Sequence, residues 1–236
     1  MSINVMNHTL KITSVLSDPT RFQIYQFINE QLEDLTVQDV ATKFNIHPNV
    51  ARLHLSKLEE IHLIVSETRK TGKGGRPSKI YHLSEEVVQL HFPYRDYQLL
   101  AKIALETLLS FGAAGIKAFC EVGSKYGKEM IINLLFQRGK RLEDLNKDEK
   151  LTILKEACAN LGFYSSFHAV DESTIEFDVK NCPFRELSIQ NNSNVCTMHA
   201  FFLRSMVNTL FPEANVVELN HLSDCKHKTC NFKMDL

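Results

Sequence analysis

Four cysteines near the end of the chain are the residues best suited to chemistry: Cys182, Cys196, Cys225 and Cys230. Four thiolates are the number that completes a tetrahedral metal or iron–sulfur site. Each cysteine stands beside a turn signal or a polar break, so local turns are able to aim several sulfurs at one point. Thiolates are soft ligands, and they select zinc or an iron–sulfur cluster over hard cations.

The spacing of these cysteines leaves the kind of site open. Thirteen residues separate Cys182 from Cys196, 28 follow before Cys225, and four more precede Cys230. A zinc ribbon would show two close C-x2-C pairs, and the spacing does not fit a ferredoxin either. Zinc and an iron–sulfur cluster therefore both remain candidates. The two other cysteines, Cys120 and Cys158, lie in apolar helical patterns, and we expect buried thiols there.

Composition predicts a folded protein with reduced thiols. The chain has 236 residues, of which 44% are apolar, so it is long enough for one large domain or two smaller ones. No apolar run reaches the roughly 18 residues of a membrane helix, and the first residues lack the pattern of a signal peptide. We therefore expect a cytoplasmic protein with no membrane partner, in which a cysteine cluster is more often a metal site than a disulfide framework.

The first ninety residues predict a winged helix-turn-helix. Asp18-Pro19-Thr20 is a helix start, and that helix should end near Glu30. Thr36-Val37-Gln38-Asp39 is a capping signal for a short second helix. His47-Pro48-Asn49 then starts the recognition helix, which should run through Ile61.

The recognition helix has one face for the core and one for DNA. Ala51, Leu55 and Leu58 recur at helical spacing, so they should pack on the preceding helix. The opposite face carries residue types suited to base edges, since Arg pairs with guanine and Asn with adenine. The candidates for DNA contact are His47, Asn49, Arg52 and Ser56, with Lys57 for phosphate.

Two short strands, Leu63 to Thr68 and Ser78 to Leu83, should form the wing. The loop between them contains three glycines and a proline, and Arg69, Lys73 and Arg76 supply charge for the DNA backbone or minor groove. From residue 43 to residue 82 there are eight Lys or Arg against three acids, an excess of five on a chain of net charge −1. This favours double-stranded DNA as a partner over the alternative, a winged helix used only for protein contacts.

The remainder should form a second domain. A proline near residue 93 indicates a linker into a long apolar helix from Gln98 to Glu121, which we interpret as a dimer spine. Further predicted elements are helices from Gly123 to Gln137, from Asn146 or Asp148 to Asn160 and from Met198 to Leu210, and strand pairs at 163–168 with 174–179 and 216–219 with 231–234. The predicted fold is α+β, with a winged helix-turn-helix at 1–90 followed by a mixed α/β sensor domain with a cysteine cluster at 91–236.

Two stretches carry a family resemblance. The run from His47 to Glu60 and the run Gly75-Arg76-Pro77-Ser78-Lys79-Ile80-Tyr81-His82-Leu83 resemble the ArsR-type regulators grouped with the Suf-operon repressors. The resemblance covers roughly residues 15 to 90 closely, and later residues mainly through Cys182-Pro183-Phe184, Val195-Cys196 and Cys230-x-Phe232. It implies a dimeric transcriptional repressor whose cysteines hold an iron–sulfur cluster.

The chain departs from that family at one position. The relatives place a ligand about eight or nine residues before the final cysteine, where this chain has His221, and Cys225 is only five residues before Cys230. Either His221 or Cys225 is therefore the remaining ligand, and imidazole ligation has precedent in iron–sulfur proteins. His199 and His227 are weaker candidates.

Three classes of function follow. The first is a homodimeric regulator that binds an operator and couples its affinity to the state of an iron–sulfur cluster. The alternative is a winged-helix regulator with structural zinc or no metal, which senses an organic ligand in a pocket lined by Phe111, Phe119, Tyr126 and Phe136. An enzyme using Cys182 or Cys196 with His199 is disfavoured, because C-x-x-C, H-E-x-x-H and phosphate-loop motifs are absent.

Overall fold

The protein is seen in a computed structural model that describes residues 3–31, 34–69, 78–84, 87–88, 90, 93, 95–191, 193–220 and 229–236. The chain divides into two compact units, Met1–Arg95 and Asp96–Leu236. Within the described ranges, no helix has the length and apolar character needed to cross a membrane.

The N-terminal unit is helical, with a small sheet. Its helices are α1 (Ile3–Leu16), α2 (Pro19–Gln31), α3 (Val37–Phe44) and α4 (Pro48–Glu59). Its strands are β1 (Leu35–Thr36), β2 (Ile64–Arg69) and β3 (Ser78–Leu83). They form an antiparallel sheet in the order β1-β3-β2, so the two wing strands pair as predicted. The first helix, α1, has no counterpart among the predicted elements, although Ile12 and Val15 are buried in the core.

Local sequence signals explain the turn between α3 and α4. Thr36 caps α3: its hydroxyl accepts from the backbone of Asp39, whose carboxylate accepts from the backbone of Thr36. Asn45 ends the helix in the left-handed conformation at φ 50°, which Asn tolerates better than most residues. His47 then caps α4. Pro48 occupies the first position of the helix, where a backbone N–H would have no partner within the helix, so its absence costs no hydrogen bond. Ala51, Leu55 and Leu58 are fully buried, as predicted.

The described part of the C-terminal unit contains five helices and a sheet. The helices are α5 (Tyr97–Leu109), α6 (Ala113–Gln137), α7 (Lys147–Asn160), α8 (Arg185–Asn191) and α9 (Ser193–Leu210), with a 3₁₀ turn at Leu142–Asp144. The strands are β4 (Ser165–Ala169), β5 (Thr174–Val179), β6 (Asn215–Asn220) and β7 (Cys230–Asp235). The sheet is antiparallel in the order β4-β5-β7-β6. Both predicted strand pairs are thereby confirmed.

The predicted continuous helix from Gln98 to Glu121 is wrong. The chain breaks between α5 and α6, where Gly112 takes φ +60°. The expected break at Gly123 does not occur, and α6 continues through it. Gly123 lies close against α9, because an added Cβ would lie 2.9 Å from the side chain of Met198.

Helices α6 and α9 approach each other closely along the core of this unit. At Gly127 an added Cβ would lie 2.3 Å from the carbonyl oxygen of Phe202. The two glycines, one helical turn apart, thus let the backbone of α9 lie against α6. Met198, Phe202 and Met206 pack into the same core as Phe177 and Phe232 of the sheet. This packing fixes α9 between α6 and the strands.

Candidate nucleic-acid interface and cysteine site

The solvent face of α4 presents the residues predicted to read DNA. His47, Asn49 and Arg52 are exposed and Ser56 is half-buried. The guanidinium of Arg52 donates to the Asn49 amide oxygen at 2.9 Å, so the two side chains are held together on the first turns of the helix. Val50 and Leu53 are also exposed there, at 42% and 55%. A face with Arg, Asn and apolar side chains offers both hydrogen bonds to base edges and contact with a thymine methyl group.

Three of the other predicted DNA contacts have partners within the chain. The backbone N–H of Asn49 donates to His47 Nδ1 at 3.2 Å, so that imidazole acts as the helix cap. Lys57 Nζ lies 3.1 Å from Glu60, and Arg69 lies 2.9 Å from Asp34. Both ion pairs are at the surface, where such pairs contribute little and phosphate is able to replace the carboxylate. The loop residues Lys73 and Arg76 lie outside the described residues.

The fold brings three of the predicted metal ligands to one end of the C-terminal sheet. Cys230 is the first residue of β7 and pairs with Val179, the last residue of β5. Cys182 follows β5 by three residues, in a turn where the backbone N–H of Arg185 donates to its carbonyl. Cys196 lies in the first turn of α9, which packs across the same region. Cys225 and His221, the two candidates for the remaining ligand, lie outside the described residues, as does His227.

The electrostatics show that these thiols are neighbours. Burial, together with smaller contributions from negative charge on Cys230 and Cys196, raises the pKa of Cys182 to about 12. Cys182 and Cys230 are buried, whereas Cys196 is half-buried. Three thiolates at this site would repel one another in a medium that solvates them poorly, so a bound cation is what would allow them to ionise together.

His199 lies inside this site, although its sequence context marked it only weakly. Its Nδ1 is 3.6 Å from Cys182 Sγ, and its ring contacts Phe163 and Phe184. Only 3% of the residue is exposed, and Nε2 is buried without a hydrogen-bond partner among the described residues. His199 lies one helical turn beyond Cys196 on α9. The i, i+3 spacing of these two residues is the sequence signal that could have identified His199 as part of the site.

The donor set fits a soft metal, but the described residues do not complete a site. Among the ranges that the structure describes, no three His, Cys, Asp or Glu side chains are arranged to hold a metal ion. Cys182, Cys196 and Cys230 are the thiols that would bind, and Cys225 and His221, the predicted candidates for a further donor, lie outside the described residues. Nε2 of His199, which finds no partner in the described part of the chain, is a second sign of an incomplete polar site.

The Cys182–His199 pair does not resemble an activated nucleophile. In a catalytic thiolate–imidazolium pair the pKa of the thiol is depressed by a nearby cation. Here burial raises the pKa of Cys182 and lowers that of His199 to about 4, so both groups are neutral near pH 7.

Three of the four aromatic side chains predicted to line an organic-ligand pocket are exposed instead, and Phe119 is partly buried against the core. Phe136, Phe111 and Tyr126 are exposed at 86%, 69% and 58%, so they point away from the core. An apolar groove of about 680 Å³ lies instead between α6 and α9. Its walls are Ala113, Ile116, Lys117, Cys120, Glu121, Ser124, Thr197 and Phe201. As predicted for ordinary buried thiols, Cys120 and Cys158 are 6% and 1% exposed.

Comparison with known proteins identifies the N-terminal part. A family profile described as a helix-turn-helix domain matches residues 16–67, which contain α2, α3, α4 and the start of β2. No curated protein matches the chain. One similar solved structure is the crystal structure of the phenol-responsive sensory domain of the transcription activator PoxR with phenol. The two chains are 16% identical, and the match covers 78% of this chain and 89% of that chain, with a TM-score of 0.46. The matched helix-turn-helix domain supports a DNA-binding transcriptional regulator.

Proposed function

We propose that the protein is a homodimeric transcriptional repressor that reads an operator with α4 and senses a cofactor at the C-terminal cysteines. The observation that carries the DNA-binding part is the exposed Asn49–Arg52 pair on the first turns of α4. In a helix-turn-helix, these turns of the second helix meet base edges in the major groove. One such helix covers only a few base pairs, so a twofold dimer on dyad-related half-sites is the expected form.

An iron–sulfur cluster is the proposed cofactor, with Cys182, Cys196 and Cys230 as ligands and Cys225 or His221 as the fourth. When bound, the cluster would supply a group whose oxidation or loss reports the redox state of the cell. The three thiolates connect the turn before α8, the helix α9 and the strand β7. Ligation would therefore fix the position of α9, and its loss would loosen α9 against α6 through the glycine contacts.

The cofactor proposal is tested by anaerobic purification followed by an absorption spectrum and by iron, sulfide and zinc analysis. Iron and sulfide in comparable amounts, with visible absorption, support the cluster. Stoichiometric zinc in a colourless protein would replace it by the zinc alternative, which the same soft donors also fit. An anaerobically purified protein that contains neither iron nor zinc would remove the cofactor from the proposal.

The DNA-binding proposal is tested separately with a pool of random duplexes. Recovery of duplexes that contain two inverted half-sites about one helical turn apart supports a dimer with α4 in successive major grooves. Binding that is equal for all duplexes and is abolished by moderate salt would indicate contact with the phosphate backbone alone. The selected duplex then measures whether cofactor loading changes operator affinity.

A further inference from the structure

The outer face of α4 has an aliphatic side chain at its centre. Since each residue of a helix turns the chain by about 100°, Leu53 lies about 40° from Asn49 around the helix axis. It lies about 160° from Ala51 and from Leu55, both of which are fully buried. Leu53 therefore points away from the core, and 55% of it is exposed. Val50, one turn before it on the same side, is 42% exposed.

The position of this pair distinguishes it from the apolar residues scattered over most protein surfaces. Neither Val50 nor Leu53 is among the described apolar residues that form the core of the N-terminal unit or pack against it. Both lie beside the exposed hydrogen bond between Asn49 and Arg52, on the second helix of the helix-turn-helix. The pair thus lies where this motif meets base edges in the major groove.

The size and the surroundings of the pair fit DNA better than a protein partner. A stable protein interface buries about 800 Å² on each side and has few charged residues at its centre. Here there are two aliphatic side chains, and Leu53 stands between Asn49 and Lys57 on the helix surface. The major groove offers one apolar group of matching size among its hydrogen-bonding edges, the C5-methyl group of thymine.

We propose that Leu53 and Val50 select a thymine in each half-site by packing against its C5-methyl group, close to the base pair that Arg52 reads. Arg52 is one residue from Leu53 and Asn49 is four, which is at most about 6 Å along the helix axis. Successive bases of a DNA strand are about 3.4 Å apart, so this thymine lies within about two base pairs of the position read by Arg52. The proposal rests on the operator binding of the proposed function and is independent of the cofactor.

The expected effect of one methyl group is large enough to measure. Removing a methyl group from water changes an equilibrium constant by about threefold to fourfold. A dimer on two half-sites makes the contact twice, so losing both methyl groups should weaken binding by about tenfold. Deoxyuridine is the matched replacement, because it lacks the methyl group and keeps every hydrogen-bonding group of thymine.

The decisive experiment replaces thymine by deoxyuridine in the selected operator, one symmetric pair of positions at a time. Fluorescence anisotropy measures the affinity of the full chain, in the cofactor state used to select that operator. One pair of positions near the Arg52 contact should lose about tenfold in affinity. In the double variant Val50→Ala, Leu53→Ala, the same replacement should change the affinity by less than about twofold, because the methyl group has lost its contact. Alanine is the best helix former, so α4 keeps its structure in this variant.

A control variant and an add-back duplex make the result specific. Leu10→Ala truncates a leucine of similar exposure, 59%, on α1, so its loss on deoxyuridine should equal that of the parent protein. Cytosine and 5-methylcytosine at the same positions differ only in the methyl group. The parent protein should therefore bind the methylated duplex about tenfold more tightly than the unmethylated one, and the double variant should bind the two alike.

Two results would overturn the proposal while leaving operator binding intact. The first is a parent protein that binds thymine and deoxyuridine equally at every position. The second is a methyl-dependent loss that is just as large in the double variant, since another residue would then contact the methyl group. A protein that selects no duplex at all would overturn this proposal together with the operator binding on which it rests.

Discussion

Gly127 of α6 lies so close to Phe202 of α9 that a Cβ on the glycine would be 2.3 Å from the phenylalanine carbonyl oxygen. This contact joins α6 to α9, the helix that carries Cys196 and His199. A change at the cysteine site that shifts α9 therefore acts directly on α6. The backbone contact is a physical link from the proposed cofactor site to α6.

We expect Gly127→Ala to destabilise the C-terminal unit by about 3 kcal/mol or more, because the added methyl group meets a backbone atom that cannot rotate away. Gly123→Ala should cost less, because the methyl group there first meets the flexible side chain of Met198. Gly139→Ala, where φ is +60° but space is open, should show only the conformational cost of about 1 kcal/mol. Urea denaturation of the three variants measures the order. A Gly127→Ala protein as stable as the parent would contradict the close approach of the helices.

We expect Arg52→Ala to weaken operator binding by about 1–3 kcal/mol and to relax preference at one base pair, because the guanidinium lies on the exposed face beside Asn49. Asn49→Ala should remove any base contact that Asn49 makes. It should also weaken the contact of Arg52, because Arg52 loses the hydrogen bond to Asn49. Lys57→Ala should weaken all duplexes alike and lower the slope of log affinity against log salt concentration by about one. Fluorescence anisotropy with the operator and a scrambled duplex separates the two classes. An equal loss on both duplexes for Arg52→Ala would remove it from base readout.

We expect stability of the N-terminal unit to fall as the pH is lowered below about 7, because burial lowers the pKa of His54. The charge of Asp18 opposes this decrease, and that of Arg21 adds to it. The unfolded chain, with a His pKa near 6.5, then binds the proton before the folded chain does, so the free energy of unfolding decreases through this range. The loss is about 1.4 kcal/mol for each unit by which the pKa is lowered, and it is complete below the folded pKa.

Thermal denaturation from pH 8 to pH 5 tests the His54 contribution. His54→Leu removes the titrating group and places an apolar side chain of similar size at a position that is 8% exposed, so the pH slope should decrease. An unchanged slope in the variant would assign the pH dependence to other groups.

Periodicity and capping signals were enough to predict α3, α4 and the wing strands, because each depends on residues adjacent in sequence. The interruption at Gly112 and the continuity through Gly123 were not predictable in the same way. Both glycines look alike in sequence, but only Gly123 has a neighbouring helix to accommodate, and that neighbour is 75 residues away at Met198. Tertiary packing decided which glycine stays in a helix.

The cysteine site was also predictable from local sequence only in part, because the rest depends on tertiary packing. Residue type identified Cys182, Cys196 and Cys230 as candidates, but it gave His199 little weight. Its place beside Cys182 depends on α9 crossing the end of the sheet, a contact between residues 17 positions apart. Likewise, the expectation that exposed aromatics such as Phe136 line a pocket failed, because an apolar side chain does not by itself reveal whether it faces the core or a partner.

We expect Cys182→Ser, Cys196→Ser and Cys230→Ser each to lose most of the bound metal, because a hydroxyl is a hard donor that stays protonated. Cys158→Ser is the matched control: that thiol is also buried, and burial raises its pKa to about 11, but it lies in α7, outside the proposed ligand set. Metal analysis after anaerobic purification gives the occupancy, and binding to a nonspecific duplex confirms that the helix-turn-helix remains folded. Full occupancy in the Cys182→Ser and Cys230→Ser proteins would end the metal-site proposal.

The remaining ligand is decided by replacing Cys225 and His221 one at a time, with Ser and with Ala respectively. The true ligand should match the loss seen for Cys182→Ser, and the other variant should keep the occupancy of the parent protein. If His221 binds, the spectrum of the parent should differ from that of His221→Cys, which restores an all-thiolate set and should retain the metal, because imidazole and thiolate donate differently to iron. Retention of metal in both single variants would move the fourth ligand to another residue. His199, whose Nε2 is buried without a partner among the described residues, would be the next to replace.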